Sequence, residues 1–471
     1  MTLSTLPPGS PIQSPGLRTG GLLRYASPAV ASAMLMGPLG SVVPGIYAKS
    51  YNLALTTIAA LLLLVRVLDS FSDVAIGIWS DRWVARGGTR RPFIVVGATV
   101  LSISSILVAM PLAGYEGVWL TVTVLLALIG WSAFEIPHYA WGVELTPDPV
   151  QRSRLFGYRA VAFYSAGLLT FGIPLLPFQP NGEMTPRTLL QIGVIGSLLF
   201  AGTLPGLLRL PRGTADAATP RAESAGLTEV LRAIGTCKPL WTFLTAYFLM
   251  SFGVAMFAGT LFIFVDVYLG LANKVAVVFA LGAPIGIVAA PLWARVASRI
   301  GRKAAWLLAT AGLMLVLIGC GFIEPGPGAL SAIFAATVGL YVLASCLATV
   351  APALLGDIVD YGRWKFKRDL AGAYYAAFNL VVKLVASVGA AGGLALAGAM
   401  GFTGHAGANS ATAVLGMKLA LAWIPALVVL CSVPFIWRMG LTPARVALIQ
   451  QRLARRSSTD ANQGLMVEIR T

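Results

Sequence analysis

The stretch Val65-Arg66-Val67-Leu68-Asp69-Ser70-Phe71-Ser72-Asp73 lies inside an apolar segment that runs roughly from Leu53 to Trp79. That segment is long enough to cross a bilayer, which takes about 20 apolar residues. Arg66, Asp69 and Asp73 fall at helical positions i, i+3 and i+7, so a helix places all three on one face. Ionised groups at membrane depth cost about 2.5 kcal/mol or more each, so this face is expected to line a polar cavity. An internal salt bridge that only fastens helices together is the alternative, and the second aspartate favours an ion or proton site.

The composition of the chain is that of a polytopic membrane protein. Of its 471 residues, 57% are hydrophobic and 11% are charged, whereas a soluble domain is about 25% charged. The apolar runs have the length of helices and lack the alternation of barrel strands, which predicts an all-α membrane fold. The net charge of +16 sits in short loops. That placement indicates topology and contact with anionic lipid, and argues against nucleic acid as a partner.

The apolar segments predict twelve transmembrane helices in two pseudo-symmetric bundles of six. We expect five regions, which are a cytoplasmic N-terminal segment 1–21, a first bundle 22–208, a linker 209–237, a second bundle 238–437 and a cytoplasmic tail 438–471. Basic loops follow the even-numbered spans, so the positive-inside rule places both termini in the cytoplasm of a plasma (inner) membrane. The tail is expected to be a short amphipathic helix on the membrane or to be disordered.

The two halves repeat one loop pattern. Gly77-Ile-Trp-Ser-Asp81-Arg82 follows the second span, and Pro291-Leu-Trp-Ala-Arg295 follows the eighth. Transporters with such repeats bind substrate between the halves and work by alternating access. We expect gating or inter-bundle ion pairs from five charged residues near the cytoplasmic side: Asp81, Arg82, Arg295, Asp357 and Asp360.

Several motifs resemble a known family. The Gly77-x-x-x-Asp81-Arg82 loop resembles the signature of the major facilitator superfamily. Arg66-Val-x-Asp69-x-x-x-Asp73 is similar to the second helix of its glycoside–pentoside–hexuronide:cation symporters, the melibiose permease-like family. Four further pieces agree with that family: Glu135-Ile-Pro137-His-Tyr139, Tyr158-Arg159, Asp357-Ile-Val-Asp360-Tyr361-Gly362 and Asn379-Leu-Val-Val-Lys383.

The resemblance implies sodium- or proton-coupled uptake of sugars by rocking of two six-helix bundles, with no other cofactor. The family's cation site falls on Asp69 and Asp73, and its helix-four acid falls on Glu135. Hydroxyl groups of Ser72 and Ser132 are candidates to complete that site. The family's sugar-binding arginine, aromatic platform and helix-eleven lysine fall on Arg159, Tyr139 and Lys383, and Tyr375 is a further candidate for stacking on a sugar ring.

Two departures leave alternatives open. The family's sugar-gripping aspartate of the first helix aligns with Ala33, and an asparagine near the cation site becomes Ser72. The first weakens the case for a simple sugar. The rival function is a sodium-coupled carrier of a lysophospholipid or another amphipathic solute, which a wide apolar cavity with only Arg159 and Lys383 as head-group anchors would favour. The second leaves sodium and proton equally open. A structural ion pair at Lys383 and a snorkelling Arg159 are the simpler readings of those two residues.

Other classes of protein are disfavoured. No HExxH, GxSxG or Walker pattern is present in the sequence, so we expect neither an enzyme nor a primary pump. The four scattered cysteines form no CxxC pair and predict neither a disulfide framework nor a metal site. The expected partners are a small-molecule substrate, a coupling cation and membrane lipids, and the sequence specifies no oligomeric state.

Overall fold

The computed structural model describes residues 18–145, 149–177, 179, 182–211, 234–366, 371–405, 407, 409–440, 444–452 and 455. Within these ranges the chain forms helices joined by turns and contains no β-strand, so the all-α prediction is confirmed. The predicted N-terminal segment up to residue 17, linker residues 212–233 and tail residues 456–471 lie outside the described part of the chain. Residues 444–452 of the tail are helical.

The first half begins with a broken span. Its two parts, Thr19–Ser41 and Val43–Ser50, are bent by 50° relative to each other. Pro44 stands at the start of the second part, where a proline cannot donate to the preceding turn. The helices of this half are α1 (Thr19–Ala26), α2 (Pro28–Ser41), α3 (Val43–Ser50), α4 (Leu55–Ala85), α5 (Arg91–Leu107), α6 (Glu116–Leu145), α7 (Pro149–Gly172) and α8 (Pro186–Leu208).

The second half contains two π-helical turns, Phe264–Tyr268 and Leu419–Trp423, each continuous with an α-helix. Its helices are α9 (Lys238–Ile263), α10 (Val275–Ala280), α11 (Gly282–Ile300), α12 (Arg302–Cys320), α13 (Ala329–Phe366), α14 (Ala371–Ala399), α15 (Ala411–Lys418) and α16 (Ile424–Arg438).

Length and composition qualify eight helical segments of the described chain as membrane spans, or nine with the bent first pair. Helix α5, with 17 residues, falls just short of that length. Helices α4 and α7, which carry Asp69, Asp73 and Arg159, are not among the eight. The total of twelve spans therefore stays a prediction.

Within each half the helices pack against one another. In the first half α6 packs against α4 and α5, and α2 packs against α7 and α8. In the second half α9 packs against α14 and α16, and α13 packs against α11 and α12. Contacts between helices join the halves: α4 meets α14, α7 meets α10 and α11, and α9 meets α2 and α3. This is the two-bundle architecture that the sequence predicted.

The two ends of the molecule differ in how the halves meet. We call the end with residues 80–91 and 295–303 the basic end, and the end with residues 51–54 and 321–328 the far end. At the far end the halves touch, where Lys49 of α3 pairs with Asp266 at 2.7 Å and Phe171 stacks on Phe279 at 5.1 Å between ring centroids. At the basic end three ion pairs lie within one half each: Asp81–Arg90, Asp357–Arg302 and Asp360–Arg363.

Candidate cation and substrate site

The charged face of α4 is built from local helical geometry. Asp69 is 1% exposed, and its Oδ2 atom lies 3.2 Å from Nη1 of Arg66, one turn earlier. The Ser72 hydroxyl donates to the backbone oxygen of Asp69 at 2.8 Å and lies 3.5 Å from its carboxylate Oδ1. The spacing read from the sequence therefore places these groups on one face, as predicted.

Asp73 links the two halves. Its Oδ2 atom accepts a hydrogen bond from the ammonium group of Lys383 on α14. The Lys383 ammonium also lies 5.8 Å from the centroid of the Trp131 ring on α6. The other carboxylate oxygen of Asp73 is buried and has no hydrogen-bond partner among the described residues. We call Asp69, Ser72, Asp73 and Lys383 the carboxylate cluster.

The carboxylate cluster has spare capacity to bind a cation. Carboxylate and hydroxyl oxygens are the ligands that hard cations prefer. Besides the free oxygen of Asp73, the hydroxyl of Ser132 on α6 is buried without a partner in the described chain. A buried acceptor without a donor is costly, so such an oxygen is suited to a cation or a proton.

A second polar group lies between α2, α6 and α7. Glu135 is 4% exposed, accepts a hydrogen bond from Ser32 at 2.9 Å and forms an ion pair with Arg159. The Arg159 guanidinium lies 3.8 Å from the centroid of the Tyr139 ring, which in turn stacks on Phe156 at 5.5 Å. We call Ser32, Glu135, Tyr139 and Arg159 the arginine group.

The structure thus distributes the predicted site residues over two groups. Asp69, Ser72, Asp73 and Lys383 come together, whereas Glu135 pairs with Arg159 and Tyr139. Glu135 remains a predicted cation ligand, although its carboxylate already has a charged partner. Tyr375 lies on α14 and is 42% exposed, and a place for it in the substrate site stays a prediction.

Three of the five predicted gating residues have partners inside their own half. Arg90 binds Asp81 at 3.0 Å and Glu144 at 2.8 Å. Asp357 pairs with Arg302, and Asp360 accepts a hydrogen bond from Gln450 of the tail helix at 3.1 Å. Neither Arg82 nor Arg295 forms an ion pair within the described ranges.

Four residues with polar contacts between helices were not among the predicted site residues: Ser32, Lys49, Glu183 and Asp266. Ser32 holds Glu135, and Lys49 contacts both Asp266 and Glu183 at the far end. Asp266 carried a usable signal, because it is an acidic residue within the apolar seventh segment. Ser32 carried none, since buried serines are common in helix bundles and its partner lies on another helix.

Comparison with known proteins identifies the family. A family model described as MFS/sugar transport protein matches residues 24–443. The chain belongs to this family. The predicted resemblance to the major facilitator superfamily and to its glycoside–pentoside–hexuronide:cation symporters is therefore confirmed. This chain is a membrane transporter and not an enzyme.

Curated relatives cover most of the chain at low identity. A glucuronide carrier protein homolog of Escherichia coli (strain K12) is 26% identical over 81% of this chain and 84% of its own length. A putative glycoside/cation symporter of the same organism, YagG, is 23% identical over 86% of this chain and 88% of its own length. The isoprimeverose transporter of Lactiplantibacillus pentosus is 22% identical over 80% of each chain.

Solved structures agree in fold. A bacterial homolog of the human lysosomal transporter Spinster, in an inward-facing and unoccupied conformation, superposes with a TM-score of 0.66. It is 14% identical and covers 91% of this chain and 100% of its own. The nucleoside transporter NupG gives a TM-score of 0.64 at 12% identity, over 90% of this chain and 99% of its own. The major facilitator fold is therefore established.

Proposed function

We propose that this chain is a symporter that couples the movement of a cation, sodium or proton, to the uptake of a sugar or glycoside by alternating access. The observation that carries the proposal is the ion pair between Asp73 of the first half and Lys383 of the second. A charged pair that spans the two moving bodies responds both to an ion that binds Asp73 and to the relative position of the halves.

The carboxylate cluster is the proposed cation site. Asp69 and Asp73 stand one helical turn apart, and only Asp73 has a buried oxygen that is still free. A cation at that oxygen competes with the Lys383 ammonium for the same carboxylate. Its binding therefore weakens one link between α4 and α14, which is a physical route from ion binding to movement.

The arginine group is the proposed sugar site. The ring of Tyr139 is 47% exposed, but the Arg159 guanidinium lies over it and Phe156 stacks on it, so we propose that its exposed edge and hydroxyl group contact the sugar. The Nε atom of Arg159 is buried without a hydrogen-bond partner in the described chain, so it offers a donor to a sugar hydroxyl. The names of three relatives, which mention glucuronide, glycoside and isoprimeverose, support this substrate class.

The rival substrate class is an amphipathic lipid. That function needs Arg159 and Lys383 as free anchors for an anionic head group. Both side chains are instead engaged by carboxylates, Arg159 by Glu135 and Lys383 by Asp73. The geometry thus favours the sugar.

The proposed orientation follows from the basic loops. With the basic end in the cytoplasm of the inner membrane, both termini are cytoplasmic. The far end is then the outer side, and contacts such as Lys49–Asp266 join the halves there. We propose that the conformation is accordingly inward-facing, because the halves meet at the far end. We propose that Asp81, Arg82, Arg295, Asp357 and Asp360 exchange partners across the halves when the cytoplasmic end closes.

A transport assay tests the substrate and the ion together. Purified protein in proteoliposomes is offered a panel of labelled sugars and glycosides under a sodium gradient alone and under a proton gradient alone. We expect one of the two gradients to drive accumulation of at least one sugar. Accumulation of a lysophospholipid under either gradient, with no response to any sugar, would contradict the proposal.

A further inference from the structure

A buried ionic contact joins the halves at the far end. Nζ of Lys49, on α3 of the first half, lies 2.7 Å from Oδ1 of Asp266 in the second half and 3.8 Å from Oε2 of Glu183. The Asp266 side chain is only 2% exposed, and its second carboxylate oxygen is buried without a partner in the described chain. Lys49 is thus the group that neutralises a buried carboxylate of the opposite half.

Both partners stand on irregular segments of their helices. Lys49 lies on α3, the part of the first span that is bent away by 50°. Asp266 lies in the π-helical turn Phe264–Tyr268, where the Leu269 N–H donates to the Phe264 oxygen at 2.9 Å. Such π turns occur often at functional sites, and a bend or a π turn is a place where a helix can change direction at low cost.

Glycines bring the backbones of the two halves together around this ion pair. A Cβ atom on Gly398 of α14 would lie 2.9 Å from Cβ of Leu55 and 2.9 Å from the backbone nitrogen of Thr56, both in the first half. A Cβ atom on Gly404 would lie 2.6 Å from the carbonyl of Ala48. The halves therefore approach each other closely at this end, and neither Gly398 nor Gly404 has room for a larger side chain.

The ion pair makes the closed state depend on Lys49. A buried carboxylate without a counter-ion is strongly unfavourable, whereas the same carboxylate in water is not. When the far end opens, Asp266 becomes hydrated and no longer requires Lys49. Loss of either charge therefore acts on the closed state more than on the open state, and so shifts the population.

We infer that Lys49 and Asp266 form the outer gate of this transporter, with Glu183 as a second contact for the lysine. The pair holds the far end closed while the site faces the basic end, and it separates when the site turns outward. This inference rests on the alternating-access part of the proposed function and is independent of the identity of the sugar and the ion.

Distance measurements between spin labels test the gate. Labels on cysteines at Tyr115 and Ser331, which are exposed positions of the two halves at the far end, report its opening. The exposed native thiol, Cys431, is first replaced by serine. We expect Lys49→Met to raise the ratio of long to short distances by about tenfold, because it leaves the buried Asp266 carboxylate uncompensated only when closed. Asp266→Asn should raise the ratio by less, because the lysine that it leaves unpaired is 35% exposed. Lys49→Arg keeps the charge and should behave like the wild type.

The chain offers a matched control. Lys418 and Glu324 also form an ion pair at the far end, but both belong to the second half. Lys418→Met should leave the distance distribution unchanged. The gate is refuted if Lys49→Met gives the same distribution as Lys418→Met. Thermal unfolding shows whether each variant folds; if Lys49→Met does not, Asp266→Asn is compared with the same control and decides the test. The assay contains no substrate, so its outcome is separate from that of the transport assay.

Discussion

Charged side chains within the helices of this protein are paired with opposite charges on neighbouring helices. Glu135 and Arg159 have side chains that are each 5% exposed and that neutralise each other between α6 and α7. Two ions at such depth are stable only because they are paired and hydrogen-bonded. Removal of one partner is therefore expected to lower the stability of the protein strongly, whereas removal of both should lower it little.

A stability measurement tests this pairing. We expect Glu135→Gln to destabilise the protein by about 3–5 kcal/mol, because it leaves the Arg159 charge uncompensated. The double variant Glu135→Gln/Arg159→Met should lose clearly less than the single one. Reversible unfolding in nanodiscs gives both values. A Glu135→Gln variant as stable as the wild type would contradict the pairing.

The sequence predicted which helical face carries the charged residues, but it did not predict which of them pair with each other. Asp69 and Asp73 were placed on one face because that depends only on the local helical repeat. The pairing of Glu135 with Arg159, and of Asp73 with Lys383, depends on how distant helices pack, and no local pattern records that. The pairing of Lys49 with Asp266 was missed for the same reason, because the two residues lie far apart in the sequence.

At the scale of elements, the departures from regular helix are the informative features. The kink of the first span was predictable, because prolines cannot continue the hydrogen-bond ladder. The π turn at Phe264–Tyr268 was not predictable, since its sequence contains neither proline nor glycine. The close approach of α14 to α4 at Gly398 likewise appears only once the two helices are packed.

Enlarging Gly398 should open the far end. Gly398→Ala places a methyl group within 2.9 Å of the Thr56 backbone, so one of the two halves must move. We expect faster labelling of a cysteine at Ala48, a position 2% exposed between the halves, by an impermeant maleimide. Gly319→Ala is the control, because a Cβ atom there meets nothing within 4 Å. Equal labelling rates in both variants would show that the far end tolerates the methyl group without opening.

The loops at the basic end should control rate more than affinity. Asp81, Arg82 and Arg295 contact no substrate in the proposed site, and gating groups shift populations of states. Charge-neutral replacements at these positions are expected to lower the transport rate while substrate binding changes little. Binding and uptake measured on the same variants separate the two effects. A loss of affinity as large as the loss of rate would assign these residues to binding.

At the scale of the whole molecule, the proposed orientation rests on the charge of the loops and the proposed movement rests on the two-bundle fold. The two-bundle fold was predictable from apolar segments, basic loops and the repeat. The contacts between the halves, such as Lys49–Asp266, were not predictable, because they join residues that lie far apart in the sequence.

Cysteine labelling tests the orientation. The basic loops predict a cytoplasmic linker, whose residues 213–225 lie outside the described part of the chain. Cysteines introduced there should resist an impermeant reagent added to intact cells and should react after permeabilisation. Ready labelling in intact cells would reverse the proposed orientation.

The most direct test of the central claim is uphill accumulation of substrate by proteoliposomes under an imposed cation gradient, compared between the wild type and Asp69→Asn/Asp73→Asn. In a symporter the ion and the substrate strengthen each other's binding by about 1–3 kcal/mol, or roughly 5–150-fold. The account predicts that the wild type concentrates substrate, whereas the double variant loses that enhancement and only equilibrates substrate down its own gradient. Full uphill accumulation by the double variant would contradict the account and would leave Asp69 and Asp73 as structural partners of Arg66 and Lys383.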